Sequence, residues 1–166
     1  MVRFRPYKRS DAAHIMLWVP DETAHVAWCF NQLEWPLDQA AFDRFQAKTE
    51  EEPDSWLMTA LDEEGTPVGF LAMKRANYEK GSIHLGAIIV DSNRRGQGLG
   101  TELMKLACRY AFEILGFSRV TLNVFEHNVG ARACYRKAGF QDINYVPNVV
   151  QCNGVSWNRC VMAVEK

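Results

Sequence analysis

A chain of 166 residues, 48% of them hydrophobic, is long enough for one well-buried core, so a single domain spanning residues 1–166 is expected. Nineteen Lys and Arg against twenty Asp and Glu leave a net charge of -1, too little to collect nucleic acid or an anionic membrane by a global field; neither partner is expected. The five scattered cysteines contain no C-x-x-C pair and the four histidines have no ligand spacing, so no metal is expected and a reducing cytoplasm fits.

Val2 to Arg5 alternates apolar and charged residues before Pro6, the pattern of a short first strand, and Ser10-Asp11 reads as a helix start. Two helices are expected next, over a stretch from Ile15 to Phe45 that is rich in aromatics and broken by Pro20 and Pro36. The acidic run Glu50-Glu51-Glu52 with Asp54 around Pro53 reads as a solvated connection. Trp56 to Leu61, a Glu64-Gly65 turn and Val68 to Met73 then read as a hairpin.

Ile83 to Val90 is apolar at nearly every position, as a central strand covered on both faces requires, and Gly86 within it permits a bulge or a close ligand. Between Gly98 and Gly116, Leu103, Leu106, Ala107, Tyr110, Ala111 and Ile114 recur at three- and four-residue steps, which predicts a helix closed by Gly116. Val120, Leu122 and Val124 alternate as a strand; Asn128 opens another helix with Ala131, Cys134, Tyr135 and Ala138 inward. Two strands, near Gln141 to Val150 and Val155 to Val164, close the chain across an Asn153-Gly154 turn. No segment has the charged start and apolar stretch of a signal peptide, or the ~18 apolar residues of a membrane span.

The chemistry concentrates where the central strand runs into Arg95-Gly96-Gln97-Gly98-Leu99-Gly100-Thr101 and a helix. Unpaired N–H groups at a helix start, with the positive end of its dipole, bind phosphate; glycines let the oxygens approach and Arg95 adds a charged contact. A P-loop is ruled out because no G-x-x-x-x-G-K-[ST] occurs. A G-x-G-x-x-G dinucleotide fingerprint would need its third glycine at Thr101, which leaves a dinucleotide-dependent oxidoreductase as a distant alternative.

Val90-Asp91-Ser92-Asn93-Arg94-Arg95-Gly96-Gln97-Gly98-Leu99-Gly100-Thr101, followed by Asn128, Ala131, Tyr135 and Gly139-Phe140, resembles the core signature of the GNAT family of N-acetyltransferases. Arg95, Gly98 and Gly100 match its first pattern, Arg/Gln-x-x-Gly-x-Gly/Ala, and the second, Asn-x-x-Ala-x-x-x-Tyr then Gly-Phe, is matched at every fixed position. The resemblance covers about residues 82–140, taken as the cofactor-binding core. It implies an α/β fold, more strictly mixed α+β, with a central mixed sheet of about six to seven strands splayed at the cofactor site and about four flanking helices.

It further implies an acetyl-CoA-dependent N-acetyltransferase acting on a primary amine, a small molecule or a peptide N-terminus. A regulatory module that binds coenzyme A without turnover is the alternative. Gly96 to Thr101 would hold the pyrophosphate, and the edge at Ile88, Ile89 and Val90 would pair with the pantetheine amides like an added strand, with a backbone amide there polarising the thioester carbonyl. Asn128, with Ala131 beside it in the motif, would contact the pantetheine arm, although Asn128 is also a good helix N-cap. Tyr135 would sit near the sulfur as general acid; Cys134, about 100° around the helix, need not participate. Many members carry a glutamate where this chain aligns His84, so His84 is one candidate base and Glu126, at the end of the next strand, another, with a water relay as a third route. A homodimer enters by family analogy alone. The aromatics from Trp18 to Phe45 are read as core or as the acceptor pocket.

Overall fold

The computed structural model describes residues 1–166. Strand β1 (Arg3–Pro6) leads through a tight turn at Arg9–Asp11 into α1 (Ala12–Trp18), α2 (Glu22–Cys29) and α3 (Gln39–Glu51). Three helices thus occupy the stretch where two were expected. The chain restarts after each proline: Asp21 and Asp38 accept the amides of Ala24 and Ala41, both at 2.8 Å, and so cap α2 and α3. The acidic run is partly helical, with Glu50 and Glu51 in the last turn of α3, and Glu52 reaches Lys74 at 3.7 Å.

The remaining elements are β2 (Trp56–Leu61), β3 (Pro67–Asn77), β4 (Ser82–Val90), α4 (Leu99–Arg109), β5 (Arg119–Phe125), α5 (Val129–Lys137), β6 (Gln141–Cys152) and β7 (Val155–Glu165). Seven strands form one mixed sheet in the order β1-β2-β3-β4-β5-β7-β6, and five α-helices cover it, one more than the sequence expectation of about four. Every neighbour is antiparallel except β4 and β5, which run parallel. No helix is long and apolar enough to cross a membrane.

Two apolar layers sandwich the sheet. On one face, Leu103, Met104 and Ala107 of α4 pack with Leu122, Phe140 and Met162; on the other, Ile15, Trp28, Phe42 and Phe45 of the first three helices pack with Phe70 and Ile89. Replacing a fully buried leucine such as Leu103 by alanine costs about 2–5 kcal/mol. The α4 periodicity continues past Arg109 as a π-turn, Tyr110–Ile114, and the chain leaves it at Gly116, whose φ of 78° favours glycine.

Along β4 the buried side alternates with a half-buried one. Ile83 and Leu85 face α4 and α5, whereas Ala87 and Ile89 face α1 to α3. The change of face comes from a bulge: between the pairs Phe70↔Ile89 and Ala72↔Gly86, Leu71 of β3 stands against both Ala87 and Ile88. Ala87 rather than Gly86 takes the left-handed backbone, at φ 47°; a Cβ at Gly86 would meet nothing within 4 Å.

Candidate active site

The parallel ladder between β4 and β5 holds only four residue pairs, from Ser82↔Arg119 to Leu85↔Leu122. Beyond it β5 stays with β7 as far as Phe125↔Arg159, while β4 stays with β3 as far as Val90↔Gly69. The two strands therefore part and leave the outer edge of β4, including Ile88, Ile89 and Val90, without a partner strand. A cleft of about 900 Å³ fills the gap, lined by these three residues and by Asn123 and Val124 opposite.

At one end of the cleft lies the glycine-rich turn. Gly96 and Gly98 have φ of 76° and 82°, a conformation open to glycine at little cost, and Gly98 caps α4 with no side chain engaged. The first intrahelical bond, from the Glu102 amide to the Gly98 carbonyl at 3.0 Å, leaves the amides of Leu99, Gly100 and Thr101 without helical partners. Arg95, Gly96, Gly98, Leu99, Gly100 and Thr101 line the cleft, and Gln97 does not. Gly100 has a packing role besides: a Cβ there would come within 3.0 Å of the Cys134 Sγ. Arg94, which sequence reasoning did not single out, also lines the cleft; Asp62 holds it at 2.9 Å and so braces the turn.

The residues present fit a diphosphate-bearing cofactor with an amide-rich arm. The orphaned amides and Arg95 supply the donors for the one, and the open edge of β4 supplies donors and acceptors for the other. The bulge keeps that edge in shape, because the Trp28 indole donates to the Ala87 carbonyl at 2.8 Å in the buried layer.

From the opposite wall α5 contributes Asn128, Ala131 and Tyr135. The Asn128 side-chain oxygen accepts the Ala131 amide at 3.3 Å, so it caps α5 and has its NH2 group left for a ligand. Tyr135 is buried at the inner end, and burial, then the neighbouring Cys134, pushes its phenol well above the ordinary range, so it keeps its proton throughout working pH. Cys134 itself takes a weak hydrogen bond from Thr101 at 3.5 Å.

The two candidate bases are placed differently. His84 lines the cleft, with Nδ1 2.8 Å from the Thr121 hydroxyl across the ladder. Burial lowers its pKa to about 4, helped by the charges of Arg75, Lys74 and Arg159, so the imidazole is neutral near pH 7 and a weak base. Glu126 lies outside the cleft: its carboxylate accepts from Asn158 at 2.9 Å and from Tyr145 at 3.3 Å on the β6–β7 side. The turn after β5 follows β7, as the Glu126 amide bonded to the Asn158 carbonyl at 2.8 Å records.

Trp18, Trp28 and Phe30 line the cleft as well, while Phe42 is core and Phe45 walls an adjoining cavity. Lys137 and Arg159 on the cleft wall carried no sequence signal, since isolated basic residues in a helix and a strand are ordinarily surface charges.

Comparison with known proteins agrees with this geometry. Residues 13–140 match the sequence model of the acetyltransferase (GNAT) family. The spermine/spermidine N(1)-acetyltransferase of Bacillus subtilis is 30% identical over 63 residues, 38% of this chain and 41% of that protein. A peptidyl-lysine N-acetyltransferase of Escherichia coli is 33% identical over 89 residues, 54% of this chain and 52% of the other. The matched stretch thus spans about half or less of these relatives' length. In fold, the spermidine N-acetyltransferase of Vibrio cholerae, solved with CoA and spermine, superposes with a TM-score of 0.84 at 20% identity, over 99% of this chain and 95% of that one. A motif-bearing turn before α4, a sheet parted beside it and a family match over most of the length agree: the chain belongs to the acetyltransferase (GNAT) family.

Proposed function

We propose that the chain transfers an acetyl group from acetyl-CoA to a primary amine by direct attack within a ternary complex. The observation that carries this reading is the shared cleft: the unpaired edge of β4, the unpaired amides opening α4 and the protonated phenol of Tyr135 all face it. Arg95 and the amides from Gly96 to Thr101 would bind the diphosphate, and Ile88 to Val90 with Asn128 the pantetheine arm. When bound, acetyl-CoA supplies an activated acyl group with a thiol as leaving group.

The chain's own residues then have defined tasks. An amide of the β4 bulge donates to the carbonyl oxygen as negative charge gathers on it. Tyr135 would donate its proton to the departing sulfur as the C–S bond breaks, and the second proton that the nitrogen must lose on forming the amide would return through water to the phenol. Free amines are mostly protonated at neutral pH, so one proton must leave before attack; His84, neutral and bonded to Thr121, is too weak a base to hold it and would pass it on to solvent through water. Glu126 as base is disfavoured by its bonds outside the cleft.

Calorimetry against acetyl-CoA and NAD, followed by thiol release with a panel of amines, tests the reading. The panel includes spermidine, spermine and lysine peptides, the acceptors suggested by the relatives' names. Acetyl-CoA binding with turnover of at least one amine is expected. Binding without turnover of any amine would favour a regulatory module, and NAD binding alone would defeat the proposal.

A further inference from the structure

A second cavity of about 240 Å³ adjoins the cleft beneath α3 and shares Gln32, Arg75, His84, Gly86 and Asn123 with it. It has room for a small amino acid, a volume equal to roughly eight waters at ~30 Å³ each. Its wall is cationic: Lys48, Lys74 and Arg75 stand against a single carboxylate, Glu52, which pairs with Lys74 at 3.7 Å. Lys48 and Arg75 have no ion-pair partner in the chain.

Two features make this more than a chance grouping. In a regular strand, successive side chains point to opposite faces, so Lys74 and Arg75 could not both reach one cavity. Between the pairs Lys74↔His84 and Asn77↔Ser82, however, β3 carries one extra residue, and Arg75 takes a left-handed φ of 51°. This bulge brings Arg75 to the same side as Lys74. From β7, Arg159 lines the adjoining cleft, and its Nε is buried with no hydrogen-bond partner in the chain. A buried guanidinium N–H of that kind calls for an acceptor. His84 registers all three cations, since after burial Arg75, Lys74 and Arg159 are what hold its proton affinity down.

Resting on the acetyltransferase reading above, we propose that the acceptor amine carries a carboxylate or equivalent oxyanion, as a small amino acid does, held by Arg75 and Arg159 beside His84. A polyamine brings further ammonium groups into a wall already short of carboxylates, and is disfavoured by like charge. An amino acid places its oxyanion against paired cations while its amine turns toward the parted strands.

Matched substrates test this. Thiol release is measured for a set of small amino acids, their amides, short peptides ending in the same residues, and spermidine. Free acids are expected to exceed their amides and spermidine by about tenfold or more in kcat/KM. Arg75→Asn, a residue that tolerates the left-handed backbone, and Arg159→Gln are expected to abolish that preference through KM, with acetyl-CoA affinity by calorimetry unchanged. Amides or spermidine used as well as the acids, or no acid turned over, overturns the carboxylate site while leaving acetyl transfer standing if any amine reacts. Peptides preferred over free acids overturn the small-molecule form. Should acetyl-CoA not bind, the acetyltransferase reading fails instead. The oxyanion site is then still read by whether N-acetyl amino acids, and not their amides, raise the melting temperature in wild type and fail to do so in Arg75→Asn; no such shift overturns it.

Discussion

The indole nitrogen of Trp28 donates to the carbonyl oxygen of Ala87 at 2.8 Å, tying α2 to the bulge of β4. Ala87 is 5% exposed, so its carbonyl has little access to water if the indole is removed. Trp28→Phe therefore leaves a buried acceptor unsatisfied and is expected to cost about 1–3 kcal/mol in denaturant unfolding, before any loss of packing. Acetyl-CoA affinity should fall with it, because the bulge loses its brace. Unaltered unfolding and affinity would mean that the bulge holds itself.

Tyr135→Phe keeps the buried ring and removes only the proton donor. About a hundredfold or greater loss of kcat is expected, with acetyl-CoA dissociation unchanged by calorimetry. A variant with full turnover would show that the departing sulfur is protonated by solvent.

Gly100 and Cys134 meet where α4 crosses α5. Gly100→Ala would place its Cβ 3.0 Å from the Cys134 Sγ and is expected to destabilise by about 1–3 kcal/mol, while Cys134→Ala removes the clashing sulfur. The double variant should recover most of the loss, a coupling readable in a double-mutant cycle of melting curves. Additive effects would place the penalty in the glycine-rich turn instead.

Two groups give stability opposite neighbours on the pH scale but the same sign. The folded pKa of His84, about 4, lies below its unfolded value of ~6.5, so on acidification the unfolded chain takes up the proton first. Stability is expected to fall between pH 6.5 and 4, by at most about 3 kcal/mol, and His84→Gln should flatten that segment of the profile. Asp11 acts further down. Burial raises its pKa, but Arg5, the Lys8 amide and Thr59 together outweigh burial and leave it below the usual carboxylate value. Its two bonds from Arg5, at 2.7 and 2.8 Å, contribute fully above pH ~4 and are lost as pH falls through the depressed value. Melting temperatures of wild type, His84→Gln and Asp11→Asn from pH 7 to 3 separate the two.

The strand-to-helix turn was legible because its requirements are local: glycine where φ is positive, a helix start, and a motif of fixed spacing from Arg95 to Thr101. The strand β5 was legible for the same reason, through the alternation of Val120, Leu122 and Val124, and β2 and β7 through the turns at Glu64-Gly65 and Asn153-Gly154. What escaped was set by distant contacts. Gly86 marked β4 as a place where a bulge could form, but nothing in the sequence put the left-handed backbone on Ala87 or a second bulge at Arg75; each is fixed by the register of a neighbouring strand and, at Ala87, by an indole 59 residues away. Glu126 ends a strand that alternation predicts, yet its direction depends on where Asn158 and Tyr145 sit. Lys48, Arg75 and Arg159 come from α3, β3 and β7 to line two adjoining cavities, a grouping that no sequence window contains.

Within the sheet, the chain up to Val90 and the chain from Arg119 onward are sewn together by four residue pairs alone. That seam is shorter than the border of β4 with β3 or of β5 with β7. Those amide protons of Ser82 to Leu85 that bond across to β5 should accordingly exchange together and at lower cost than the amides of the longer β3–β4 and β5–β7 borders. Any ligand that bridges both margins would slow them as a group.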